Sequence, residues 1–175
     1  MISIKNTTFR KITGIEFVYF VGNAMKGDGW GVFLKLVTML EASCKRAIGL
    51  KIGIDPDLES VGRVEFYAAL RLCRDASLIP EEAFAFVNKA RMLRNDLAHS
   101  GAVLELSIDT IMARVDGPKY LKGLDSFLQI EGCKAADDGT SHSNALLASC
   151  VAFVGYLAFS LFGESWLQQT EPKKA

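Results

Sequence analysis

The feature that most constrains the fold is a run of 19 residues, 145–163, that contains no charged side chain. Its length is close to the ~20 apolar residues that cross a bilayer. However, Ser149 and Ser160 interrupt the run, and the segment before it is polar and acidic. The basic residues after it are only Lys173 and Lys174. The flanks therefore favour a helix buried in the centre of a helical protein, with a membrane anchor as the alternative.

The composition fits one globular domain. The chain has 175 residues, 50% hydrophobic and 23% charged, and a domain of this size buries roughly 70% of its unfolded surface. Lys+Arg and Asp+Glu number 20 each, so no long-range field attracts the whole protein to nucleic acid or to an anionic membrane. We predict a single helical domain over residues 1–169 and a frayed tail over 170–175. Any binding of RNA must then depend on a local patch.

The four cysteines (Cys44, Cys73, Cys133 and Cys150) are not spaced as a zinc site. Three of them fall within apolar helical patterns, where a free cysteine behaves as a small buried hydrophobe. The N-terminal residues lack the apolar core of a signal peptide. We therefore expect a reduced, cytoplasmic protein that uses no metal and no cofactor and does not enter the membrane.

Apolar residues recur at helical spacing along most of the chain, without a convincing run of alternating strand residues. We predict five or six helices in an all-α antiparallel bundle. They cover residues 12–25, 31–48 with Gly49 as C-cap, 58–76, 80 to the Ser100-Gly101 pair, 107–115 with continuation toward 130, and 143–168. Residues 131–144, which include His142, are predicted to form a polar surface loop.

Arg94 lies within the apolar stripe of the predicted fourth helix, where an arginine is almost never left unpaired. Glu41 interrupts the apolar stripe of the predicted second helix in the same way. A Glu41–Arg94 ion pair between two packed helices is therefore the structural interpretation, and a functional site is the alternative. If the pair is only structural, Arg94→Ala should leave Glu41 uncompensated and cost about 3–5 kcal/mol.

Arg94 is followed by Asn95-Asp96-Leu97-Ala98-His99 near the end of a helix. This string resembles the Arg-(four to six residues)-His motif of the HEPN superfamily, in which a polar residue such as asparagine commonly follows the arginine. The run 63–99 also looks like the HEPN-like proteins grouped with the mannitol operon repressor. In detail the resemblance covers about half of the chain.

The resemblance implies a small helical bundle and a metal-independent endoribonuclease of the toxin or phage-defence kind. Arg94 and His99 would be its catalytic residues, and Asn95 would orient them. RNA would be the substrate, and an antitoxin or a regulatory protein would be a further partner. The mannitol-repressor-like branch implies the alternative of a non-catalytic helical regulator, in which Arg94 and His99 are structural.

The chemistry of the residues can be argued without the resemblance. Cleavage of RNA without a metal needs deprotonation of the 2′-OH, protonation of the leaving 5′-oxygen and neutralisation of the phosphorane's added charge. Histidine can transfer protons near neutral pH, and a guanidinium can bind two phosphate oxygens. Because one histidine cannot conveniently make both transfers, we predict a homodimer with two copies of Arg94 and His99 in one cleft. Phe84 and Met92 are expected to be exposed and to contact the partner, with packing against another helix of the same chain as the alternative. The structural alternative for His99 is a residue that interacts with the helix dipole.

Overall fold

The computed structural model describes residues 3–24, 26–99, 142–163 and 167–168. These ranges are mainly helical, as predicted. The helices are α1 (Asn6–Thr13), α2 (Phe17–Ala24), α3 (Gly29–Lys51), α4 (Glu59–Gly62), α5 (Phe66–Asp75), α6 (Glu81–Ala98) and α7 (His142–Phe162). Strands β1 (Ser3–Ile4) and β2 (Leu167–Gln168) form a two-residue antiparallel pair that the sequence pattern did not predict. The predicted fifth helix, the tail and Cys133 lie outside the described residues.

Helix α3 is the centre of the packing, with α1, α5, α6 and α7 against it. Its N-terminus is capped by Asp28, whose Oδ1 accepts the Gly31 N–H at 2.6 Å. Large apolar side chains such as Phe33, Leu36 and Leu40 recur at helical spacing and are buried. The three cysteines of the described residues, Cys44, Cys73 and Cys150, are free and buried, as the apolar patterns indicated.

Gly49 does not cap α3, because the helix continues to Lys51. An added Cβ at Gly49 would lie 3.4 Å from the Ile54 carbonyl oxygen and 3.5 Å from the Pro56 Cα. The backbone turns at Gly53, where φ is 74°. These are ordinary van der Waals distances, so the chain after α3 packs against the helix at Gly49 but does not require glycine there.

The predicted first helix, 12–25, is instead two helices. Gly14 adopts a left-handed φ of 82° and ends α1. The Asn6 Oδ1 then accepts the Phe17 N–H at 2.8 Å, so the first residue of α1 caps the start of α2. The rings of Phe9 and Phe17 pack edge to face with centroids 5.0 Å apart. Apolar periodicity continues across the break, and therefore did not reveal it.

The predicted third helix, 58–76, is also divided. The short helix α4 ends at Gly62, and α5 begins at Phe66. Between them Glu65 acts as the N-cap of α5, since its Oε2 accepts the Ala68 N–H at 2.9 Å. Helix α6 begins one residue later than predicted, with Pro80 as its N-cap.

Helix α7 begins at His142 and ends at Phe162, so His142 belongs to a helix rather than to the predicted loop. The prediction extended this helix to Gln168, whereas Leu167 and Gln168 form β2. Among its apolar side chains, Leu146, Val154 and Leu157 are buried, and Val151 and Leu161 are partly buried, as expected for a helix inside the bundle. Helix α7 packs mainly against α3 and α1. None of the helices in the described ranges combines the length and apolar character of a membrane span.

Candidate functional site

Arg94 lies in the last turn and a half of α6, on the side that faces α3 and α5. Its Nη1 donates to the Glu41 Oε2 at 2.9 Å, so the structure contains the ion pair that the two apolar stripes predict. The guanidinium carbon lies 5.8 Å from the centroid of the Phe66 ring on α5. The side chains of Arg94 and Glu41 are 25% and 23% exposed. The pair is therefore at the edge of the core and within reach of solvent.

Asn95, the predicted orienting residue, contacts Arg94 directly. Its Oδ1 accepts from both the Arg94 Nε, at 3.3 Å, and the Arg94 Nη2, at 3.2 Å. Together with Glu41, it therefore accepts three of the five guanidinium N–H groups. The orientation of the guanidinium is fixed from two sides, by a carboxylate on α3 and by an amide on α6.

Lys45 is a member of the cluster that the sequence reasoning did not identify. Its Nζ donates to the Glu41 Oε1 at 2.7 Å and to the Gly62 carbonyl oxygen at 3.0 Å. Its spacing from Glu41, four residues along α3, was the available signal. Burial of Glu41 acts to raise its pKa, but the hydrogen bonds and charges of Lys45 and Arg94 outweigh this effect and hold the pKa below 4.5. Glu41 is thus ionised at neutral pH, and two cations share one carboxylate.

His99 is the C-cap of α6 and is exposed. Five residues along a helix correspond to a rotation of about 140° and a rise of about 7.5 Å. Within one chain, His99 is therefore turned away from the side of α6 on which Arg94 meets Glu41. Glu41, Arg94 and Asn95 come together, whereas His99 lies beyond them at the helix end.

Arg91 resembles Arg94 in its surroundings, although the sequence analysis did not single it out. Its Nε and Nη2 donate to the Asn88 Oδ1 at 3.2 and 3.0 Å. Its guanidinium carbon lies 4.7 Å from the centroid of the Tyr67 ring on α5. No simple spacing rule reveals this, because the aromatic partner is on another helix.

Arg74, on α5, makes a further Arg–aromatic contact between α5 and α6, but it also has charged partners. Its guanidinium carbon lies 4.3 Å from the centroid of Phe84. The carboxylates of Asp75 and Glu81 lie 3.0 and 4.0 Å from its terminal nitrogens. Phe84, predicted to be exposed, is only 8% exposed, because α5 covers it. Met92 is 50% exposed, in agreement with its position off the core stripe. We name the three Arg–aromatic contacts between α5 and α6 the arginine seam; they are Arg74–Phe84, Arg91–Tyr67 and Arg94–Phe66.

Comparison of the chain with protein-family models, curated protein sequences and solved structures finds no match. Within the described ranges, no three His, Cys, Asp or Glu side chains are grouped closely enough to bind a metal ion. The chemistry available to this site is therefore argued from its own side chains, which offer guanidinium groups, an ammonium group, a carboxylate and an imidazole.

Proposed function

We propose that the protein is a metal-independent endoribonuclease with a HEPN-like antiparallel bundle, acting in the cytoplasm as a toxin or phage-defence effector. The observation that carries the proposal is the setting of Arg94. Glu41 and Asn95 hold its guanidinium in place, yet Glu41 is also paired with Lys45, so the cluster keeps a positive charge in excess. A pre-oriented cation is suited to the charge that develops on a phosphorane.

In this mechanism Arg94 binds a phosphate through the N–H groups that Glu41 and Asn95 do not accept, one on each terminal nitrogen. Of the two His99 side chains in the dimer, one accepts the proton of the ribose 2′-OH and the other protonates the leaving 5′-oxygen. Because His99 is about 140° away from Arg94 on α6, one chain does not present both groups on one face. A homodimer in which two α6 ends meet supplies the His99 of the partner subunit to each Arg94.

The test is cleavage of a labelled single-stranded RNA by the wild type, Arg94→Ala and His99→Ala. Each variant should lose activity by about 10²-fold or more. An equimolar mixture of the two variants should recover part of the activity, because a mixed dimer brings one Arg94 and one His99 together in the cleft, whereas each variant alone lacks both copies of one of them. Arg74→Ala is the matched control and should cleave as the wild type does. Cleavage that persists in both variants, or no recovery on mixing, contradicts the proposed composite site.

The alternative is a non-catalytic helical regulator related to the mannitol operon repressor, which acts by binding a protein partner. One observation favours it: the contacts of Arg94 with Glu41, Asn95 and Phe66 are also those of a structural arginine. Under this alternative, wild-type protein does not cleave RNA and its expression is harmless. Arg94→Ala should then lower stability, although by less than about 3–5 kcal/mol, because Lys45 still compensates Glu41.

A further inference from the structure

Arg91 and Arg94 lie one turn apart on α6 and share two kinds of contact. Each donates its Nε and Nη2 to a single asparagine side-chain oxygen, on Asn88 and Asn95 respectively. Each also lies over an aromatic ring of α5. Side chains at this spacing lie about 5–6 Å apart at Cβ. Two like charges are thus fixed side by side on one helix.

The direct partners of Arg91, an amide oxygen and an aromatic ring, are neutral, so they orient its guanidinium without cancelling its charge. Arg94 is paired with Glu41, but Lys45 shares that carboxylate. Arg74, at the other end of the arginine seam, faces two carboxylates, those of Asp75 and Glu81. Holding two like charges together costs free energy unless an anion binds between them. This arrangement therefore favours an anionic ligand at the Arg91–Arg94 end of the seam.

Two acids of this region, Glu41 and Glu65, are already engaged. Glu41 is shared by Arg94 and Lys45. Glu65 accepts backbone N–H groups of Tyr67 and Ala68, which, followed by the charges of Arg91 and Lys45, hold its pKa below its usual value. Three cations (Lys45, Arg91 and Arg94) are thus set against these two carboxylates. The excess charge is small and local, as a binding site on a chain of zero net charge requires.

We propose that Arg91 is a second phosphate-binding residue, and that Arg91 and Arg94 bind neighbouring phosphates of one single-stranded RNA. This inference rests on the proposed function and adds the path of the RNA strand, which follows α6 from Arg94 toward Asn88. Arg94 contacts the phosphate that reacts, and Arg91 contacts the next phosphate along α6 toward Asn88. Arg91 acts as a positioning residue, since it fixes the strand without touching the reacting atoms.

The test measures binding of a fluorescein-labelled single-stranded RNA by anisotropy between 50 and 200 mM salt. All proteins carry His99→Ala, so that cleavage does not interfere. Adding Arg91→Ala should weaken binding about tenfold at low salt and reduce the slope of log K against log salt by about 0.7, which corresponds to one lost phosphate contact. Arg91→Lys should keep the slope because it keeps the charge. Arg74→Ala, which also loses an Arg–aromatic contact, should change the affinity for RNA by less than twofold and leave the salt slope unchanged.

Cleavage by proteins that retain His99 provides the second readout. Arg91→Ala should raise KM about tenfold and leave kcat within threefold, an effect that a general loss of folding would not produce. If Arg91→Ala binds RNA with the wild-type slope, or if Arg74→Ala is equally impaired, the inference is overturned while cleavage by the wild type still supports the proposed function. If the wild type fails to cleave but shows the Arg91-dependent slope, the endoribonuclease is rejected and the phosphate-binding pair is supported. Tighter binding to duplex DNA than to single-stranded RNA overturns the choice of ligand.

Discussion

The two ends of the arginine seam use the same contact for different purposes. At one end Arg74 stacks on Phe84 and faces Asp75 and Glu81, so its charge is neutralised within α5 and α6. At the other end Arg91 lies over Tyr67 and is oriented by the Asn88 amide. Arg94 lies over Phe66 and is oriented by the Asn95 amide and by Glu41, whose charge Lys45 shares. Stacking on an aromatic ring therefore stabilises the packing at both ends. The charge of the remaining partners differs between the ends, and the proposed binding of an anion at the Arg91–Arg94 end depends on that difference.

The largest expected effect is the loss of stability when Phe66 or Phe84, one aromatic residue from each end of the arginine seam, is truncated. The two losses should be similar. Phe66 and Phe84 are 4% and 8% exposed, and truncation of such a residue to alanine costs about 3–5 kcal/mol. We expect Phe66→Ala and Phe84→Ala to lower the free energy of unfolding by similar amounts in urea titrations. The milder Phe→Leu variants keep the comparison measurable if the alanine variants do not fold. A loss confined to one end would show that the two contacts are not equivalent in packing.

The next effect separates the two ends by activity. Arg94→Lys keeps the positive charge but cannot donate to Glu41 and Asn95 at once through a planar fork. RNA cleavage should fall by about 10²-fold, which corresponds to about 2.7 kcal/mol of lost transition-state stabilisation. The same change at Arg74 should leave the rate within twofold, with thermal melts showing that both variants fold. An Arg94→Lys protein with the wild-type rate would mean that charge alone is sufficient and that pre-orientation is not used.

The smallest effect is the pH dependence that Glu41 gives to the Arg94 end. The folded-state pKa of Glu41 is below its unfolded value, so its stabilisation is present above the unfolded pKa and is lost as the pH falls through the folded pKa. Wild type should exceed Glu41→Gln in stability by about 1 kcal/mol at pH 7, as for other partly exposed ion pairs. Melting temperatures measured from pH 7 to pH 3 should show this difference shrinking below pH 4.5. A difference that grows on acidification would contradict the ion-pair assignment.

Part of the site could be predicted because the relevant interactions follow helical spacing. Glu41 and Arg94 each interrupt an apolar stripe, and two charges facing one core have few partners other than each other. Lys45 was missed, although it lies four residues after Glu41, and it changes the energetics because Glu41 keeps a partner when Arg94 is removed. Arg91 was missed for a different reason, since its setting depends on Tyr67, whose position is fixed by the packing of α5 on α6.

The fold, like the site, has features that the sequence predicts and features that it does not. The all-α class and the burial of Cys44, Cys73 and Cys150 follow from apolar periodicity. The breaks at Gly14 and at Glu65 do not, because apolar residues continue on both sides and the helix ends are set by caps. Phe84 was expected to face outward, and α5 covers it instead.

The sequence by itself determined that this chain is helical and that α6 carries an arginine which must be paired. It did so because burial of apolar side chains imposes a periodicity that can be counted along the chain. Only the tertiary structure decided which helices meet, that Lys45 shares Glu41 with Arg94, and that Arg91 lies over Tyr67. These outcomes depend on contacts between segments distant along the chain and on the rotation of each helix about its axis, neither of which is contained in local spacing.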